Sequence, residues 1–92
     1  MKVFPFDPAE FLDTPEAQQE LLDDAAASGD GRYIAAALGT IARARGMTKV
    51  AAGAGVSREA LYRALSEDGD PRLSTLLGVA KALGLTLAFR AV

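Results

Sequence analysis

The residues best equipped for chemistry stand together in the run SREALYR: Ser57, Arg58, Glu59, Tyr62 and Arg63. On a helix starting after Ser57, the residues Leu61, Ala64 and Leu65 share one face, which turns Arg58, Glu59, Tyr62 and Arg63 to the other. The chemistry of that outer face is hydrogen bonding rather than bond making. An arginine can bind guanine O6 and N7 together, a glutamate can accept from cytosine N4, and a tyrosine can meet a thymine methyl or donate to a phosphate. Plainer uses stay open: either arginine can serve as a phosphate contact alone, and Glu59 can simply orient an arginine.

Most reaction chemistry is excluded. The chain has no cysteine and no histidine, so thiolate or imidazole zinc sites, Cys or Ser–His nucleophiles and a histidine proton switch are all missing. Its carboxylates fall on helix faces expected to be solvated, with no nucleophile–base pair in view. We therefore expect a non-enzyme with no cofactor and no metal. The opening MKVFPFDPAE has acids before any long apolar run, and no later stretch reaches the roughly 18 apolar residues of a membrane span, so a cytoplasmic protein is expected. Absence of cysteine fits a reducing compartment.

An outward-facing helix needs elements to hold it. Just before it lies MTKVAAGAGV, with Gly53 and Gly55 inside an otherwise helical pattern. Each costs about 1 kcal/mol relative to alanine in a helix interior, so at least one should mark a turn. With Thr48 capping a first short helix and Ser57 a second, Ala54-Gly55-Val56 is the turn between them and Gly55 takes the left-handed position. Ala51 supplies a small residue where two helices cross, and Val50, Val56, Leu61 and Leu65 supply the apolar contacts. The pattern is a helix-turn-helix, although short helices joined by a glycine turn also occur as plain packing units. The second helix of such a pair presents its first residues to the major groove, while the free N–H groups at the start of the first, with Thr48 and Lys49, suit a phosphate. Gly53 has no place in this turn and reads as a weak point of the first helix.

The rest of the chain frames that unit. Asp7-Pro8-Ala9-Glu10 can open a short helix, and Thr14-Pro15-Glu16 opens a longer one carrying Ala17, Leu21, Leu22 and Ala25 to a stop at Ser28-Gly29. Asp30 caps the next, with Ile34, Ala37, Leu38, Ile41 and Ala42 as its stripe and Arg43 and Arg45 complementing the dipole before Gly46. SEDGDP is a turn in which Gly69 can take positive φ. A last helix with Leu73, Leu76, Leu77, Ala80 and Leu83 on its buried face ends at Gly84. In the tail LTLAFRAV, Leu85, Leu87 and Phe89 alternate with smaller or polar residues, the two-residue period of a strand. Such a strand needs a partner, either the KVF stretch near the start or the same tail of a second subunit. At 92 residues the chain reads as one domain: an acidic helical segment over 1–29, a helix-turn-helix core over 30–84 and a strand over 85–92.

Charge divides along the same line. The net charge of −2 combines one cation and eight acids in residues 1–31 (−7) with nine cations and four acids in residues 32–92 (+5). The basic portion fits an anionic partner; the acidic portion is either solvated or meets something basic.

Taken together, FDPAEFLDTPE, the GD before the next helix, ALGTIARARGM, GVSREALYRALS and the closing ALGLTL resemble the antidote (antitoxin) proteins of bacterial addiction modules, of the lambda-repressor-like helix-turn-helix superfamily. AAGAG is less polar than that family's first short helix, and GDP stands where GNP is common. The resemblance implies an all-α domain of five or six helices with a short C-terminal β-strand. It also implies a protein that binds and neutralises a co-encoded toxin, often an RNA-cleaving enzyme, and represses its own operon. The family's DNA-reading role falls here on Ser57, Arg58, Glu59, Tyr62 and Arg63, beside the phosphate clamp expected of Thr48 and Lys49. Toxins of this kind tend to be small and basic, which makes the acidic first third a candidate toxin surface. Pairing of Leu85, Leu87 and Phe89 across a two-fold axis would give a homodimer, with recognition helices about 34 Å apart on a palindromic operator. Two rivals stay open: a free-standing helix-turn-helix repressor, and a toxin-neutralising protein that leaves DNA alone.

Overall fold

The computed structural model describes residues 13–92, and the short helix expected at Asp7–Glu10 lies outside them. Five helices follow in order: α1 (Pro15–Ser28), α2 (Gly31–Arg45), α3 (Met47–Ala54), α4 (Arg58–Ala64) and α5 (Leu73–Ala82). Local side chains set most of their boundaries. The Thr14 hydroxyl accepts from the Ala17 N–H at 3.1 Å, with Pro15 at the first helical position. Asp30 Oδ1 accepts from the Arg32 N–H at 2.9 Å to start α2. Ser57 Oγ accepts from the Ala60 N–H at 3.0 Å to start α4.

Thr48 is not a cap. Helix α2 runs through Arg45, so the single residue Gly46, at φ 108°, separates it from α3, which begins at Met47 with no side-chain cap. Thr48 thus sits inside the first turn of α3. The expected turn after α3 is present: Gly55 takes the left-handed conformation at φ 73°, its N–H donating to the Ala52 carbonyl at 3.2 Å and that of Val56 to Ala51 at 3.1 Å.

Ile41 from α2, Leu61 from α4 and Val79 from α5 are the largest fully buried side chains, joined by Leu38, Met47, Val50, Ala51, Leu65 and Leu83. Leu21, Leu22 and Ile34 pack on this core from one side. Helix α3 contacts α2, α4 and, most extensively, α5. That contact gives Gly53 a purpose: a Cβ built on it would stand 2.8 Å from the Ala82 Cβ, so α3 and α5 touch almost backbone to backbone. Gly53 is a crossing point, not a weak point. Gly69 likewise serves close approach, because a Cβ there would meet the Ala64 carbonyl oxygen at the end of α4; it is not among the positive-φ glycines.

Helix α5 is rotated from its expected setting. Val79 and Leu83 are buried and Leu76 is partly buried, but Leu73 is 61% exposed and Leu77 47%. The cause is the α3 contact, since Gly78 faces Ala54 and Ala82 faces Gly53, which carries the buried arc toward Val79. After α5 the Leu85 N–H donates to the Ala80 carbonyl at 2.8 Å, and residues 85–92 form no strand among the described residues. Leu85 packs against the core, whereas Leu87 and Phe89 are exposed. No helix among the described residues is long and apolar enough to cross a membrane.

Candidate nucleic-acid interface

Helix α4 is short and one-sided. Leu61 is fully buried beneath it, and Arg58, Glu59, Tyr62 and Arg63 are exposed. One helical turn separates Arg58 from Tyr62, and the two side chains are paired: the guanidinium carbon lies 5.5 Å from the ring centroid, and Nη2 donates to the phenol oxygen at 3.4 Å. That bond, chiefly, with the Glu59 carboxylate a smaller influence, raises the Arg58 pKa further above its already high ordinary value. Arg58, a cation like any arginine, is held along the helix surface by its contact with Tyr62. Ser57 spends its oxygen on the α4 cap, so its hydroxyl is oriented by the backbone.

A shallow groove of about 380 Å³ opens beside α4. Its lining brings together Thr48 and Lys49 from the first turn of α3 and Arg58 and Tyr62 from α4, four of the residues singled out in the sequence. It also includes Arg43 from the last turn of α2, whose place in the sequence pointed only to the helix dipole. Three cations thus border the start of a helix that lacks a side-chain cap. Uncapped N–H groups at a helix start carry partial positive charge, and converging cations strengthen the field, so an oxyanion is the ligand this groove suits. The sequence signal for Arg43 is its nearness to Lys49 across Gly46, but only the one-residue connection at Gly46 and the turn at Gly55 bring both beside Arg58.

Arg63 stands apart. It lines a second open groove of about 490 Å³ between α4 and the start of α5, where Arg72 accompanies it but Asp68 and Asp70 balance the two cations. The grooves on the two sides of α4 therefore differ: the first is bordered by cations, the second by both signs. Arg72 was not singled out in the sequence; it precedes α5 at the cap position without capping by its side chain.

The opposite charge gathers on α1, where Glu16, Glu20, Asp23 and Asp24 are exposed. Polar contacts fasten this helix. Arg45 Nε and Nη2 both donate to Gln18 Oε1, at 3.0 and 2.7 Å, and Nη1 reaches the Leu83 carbonyl at 3.4 Å. Gln18 is buried, so Arg45 acts as a strap from α1 to the end of α5 in addition to complementing the α2 dipole. The Tyr33 hydroxyl donates to Asp24 at 2.5 Å, and this bond holds the phenol pKa above its ordinary value.

Comparison with known proteins gives the arrangement a context. The chain is 46% identical over 80 residues to an uncharacterized protein of Haemophilus influenzae, an alignment covering 87% of this chain and 82% of that relative. No solved structure matches it significantly. A family model described as "Probable addiction module antidote protein" matches residues 2–91, spanning α1, the α3–α4 unit, α5 and most of the tail. A match of that extent, agreeing with the resemblance carried by GVSREALYRALS, places the chain in the addiction module antidote family.

Proposed function

We propose that this protein is the antitoxin of a bacterial toxin–antitoxin pair. It neutralises a small basic toxin, of the RNA-cleaving kind, and represses its own operon by binding a palindromic operator. In this reading α3 and α4 form a DNA-binding helix-turn-helix of the lambda-repressor type, with α4 as recognition helix. Arg58, Glu59, Tyr62 and Arg63 meet base edges or phosphates, Ser57 fixes the start of α4 at the groove, and Thr48 and Lys49, with Arg43, seat a backbone phosphate. The acidic face of α1 receives the toxin. Two copies associate through their tails, Leu87 and Phe89 giving the exposed contacts and Leu85 anchoring each tail to its own core. The setting is the cytoplasm, where both operator and toxin are found.

The observation carrying the DNA part is the convergence of Arg43, Lys49 and Arg58 on an uncapped helix start beside an α4 that exposes Arg58, Glu59, Tyr62 and Arg63. Packing alone gives no reason to gather three cations there, whereas a phosphate backbone beside a major groove does. The toxin part rests on the family.

The test is a binding titration with the DNA upstream of the chain's own reading frame. Replacing Arg58 and Arg63 by alanine should weaken binding by about 1–3 kcal/mol for each base interaction removed. Lys49→Ala should weaken all sequences alike and lower the salt slope by about 0.9. Undiminished binding by the double arginine variant would refute the recognition role of α4. Toxin inhibition unaffected by these changes, with no salt-sensitive DNA shift in the wild type, would instead establish a protein-only antidote. A neighbouring reading frame that encodes no small basic protein would favour a free-standing repressor.

A further inference from the structure

Two exposed arginines stand on α4, and they are held differently. The Arg58 guanidinium carbon lies 5.5 Å from the centre of the Tyr62 ring, and Nη2 donates to the phenol oxygen at 3.4 Å. Arg63 has no such support among the described residues, and its groove sets Asp68 and Asp70 against it. The spacing explains the pair: side chains four positions apart on a helix stand one above the other, and Leu61, fully buried next to Tyr62, fixes that turn to the core. Arg58 is the first residue of α4, the part of a recognition helix that meets base edges.

We infer that Tyr62 is a positioning residue: it holds the Arg58 guanidinium in one plane for paired donation to O6 and N7 of a guanine, and so sets the base that this end of α4 prefers. The inference rests on the DNA reading proposed above and assigns one base preference to this pair of side chains. A guanidinium carries its N–H donors as a rigid fork, and Nη2 has a hydrogen on each of two double-donor edges. Whichever hydrogen goes to Tyr62, the other edge keeps both its donors. A phosphate has no need of a fixed plane, because its oxygens accept from many directions, and Arg43 and Lys49 already supply cations for one in the same groove. A guanine edge does need it, since O6 and N7 lie side by side in the plane of the base. Ordering a long side chain before it binds also lowers the entropy lost on binding, and the ring face and hydroxyl of Tyr62 supply that order.

The test is a base-by-base substitution scan of the DNA upstream of the chain's own reading frame, with affinity measured at fixed salt for the full chain and its variants. The wild type should lose about 5- to 150-fold when one particular guanine is replaced. Arg58→Ala should bind all bases alike at that position. Tyr62→Leu should lose most of the guanine preference with its salt slope unchanged, and Tyr62→Phe, which keeps the ring but not the hydroxyl, should fall between it and the wild type. In the Arg58→Ala background Tyr62→Leu should change nothing further at that position, the coupling that distinguishes positioning from a separate base contact by the tyrosine. Both side chains are exposed, so helical circular dichroism should be retained throughout. A Tyr62→Leu protein that still prefers guanine as strongly as the wild type would overturn the positioning role. So would an Arg58→Ala protein that binds every sequence equally weakly with a reduced salt slope, since Arg58 would then be a phosphate contact. Either result leaves the DNA reading standing, whereas a wild type with no salt-sensitive binding would defeat that reading and this inference together.

Discussion

Helix α1 and the α3–α4 pair present faces of opposite charge and are held to the molecule by different means. Helix α1 packs on α2 through fully buried Ala25, contributes Leu21 and Leu22 at the margin of the core, and adds polar fasteners, Arg45 to Gln18 and Tyr33 to Asp24. The α3–α4 pair is held by fully buried Leu61, by Val50 and Ala51, and by the close approach of Gly53 to Ala82. Burial of apolar surface is the stronger and less adjustable of the two attachments. The face proposed to read DNA is therefore the more firmly mounted, while the face proposed to receive a protein sits on a helix held in part by polar contacts that can loosen at smaller cost.

Mutations can break that contrast. The largest effect is expected at Leu61→Ala, which opens a cavity under α4 and should cost about 2–5 kcal/mol, read from a denaturant titration. A loss below about 1 kcal/mol would mean that α4 is not anchored through the core. Gly53→Ala comes next. Helix propensity alone predicts a gain of about 1 kcal/mol, but the added methyl meets Ala82 at 2.8 Å, so we expect a net loss of about 1–3 kcal/mol; a raised melting temperature would show that the crossing is not tight. Arg45→Ala removes three charge-assisted bonds, two to Gln18 and one to the Leu83 carbonyl, so a loss of about 1–2 kcal/mol is expected. Hydrogen exchange should then quicken in α1 ahead of α3, and uniform quickening would erase the proposed difference between the two regions. The smallest effect on stability is expected for Glu20→Lys with Asp23→Lys, within about 0.5 kcal/mol. The same pair should markedly weaken toxin capture in a pull-down, and intact capture would remove α1 from the toxin surface.

What could be read directly from the sequence was local. Thr14, Asp30 and Ser57 cap where their side chains and neighbours indicate, Gly55 turns where a left-handed residue is needed, and α4 buries Leu61 while exposing Arg58, Glu59, Tyr62 and Arg63. What escaped was set by distant neighbours. Periodicity marks Leu73 and Leu77 as part of a broad apolar arc on α5 but cannot say which edge of the arc meets α3; Gly78 and Ala82 decide that. Gly53 reads as a weak point of α3 in the sequence because its partner, Ala82, lies on another helix. Thr48 looked like a cap because nothing nearby shows that α2 runs to Arg45 and leaves Gly46 alone to turn the chain. Arg43 was visible as a dipole complement, but its convergence with Arg58 depends on that same one-residue connection.

The meeting of Gly53 and Ala82 has an evolutionary corollary. Two helices docked through main chain and methyl groups keep their relative angle whatever long side chains decorate their far surfaces. Helix α4 is seated on the same core through buried Leu61, so its exposed Arg58, Glu59, Tyr62 and Arg63 can be exchanged among relatives to suit new targets without resetting the posture of the scaffold beneath them, and lineages should diverge at those four positions sooner than at Gly53 or Ala82.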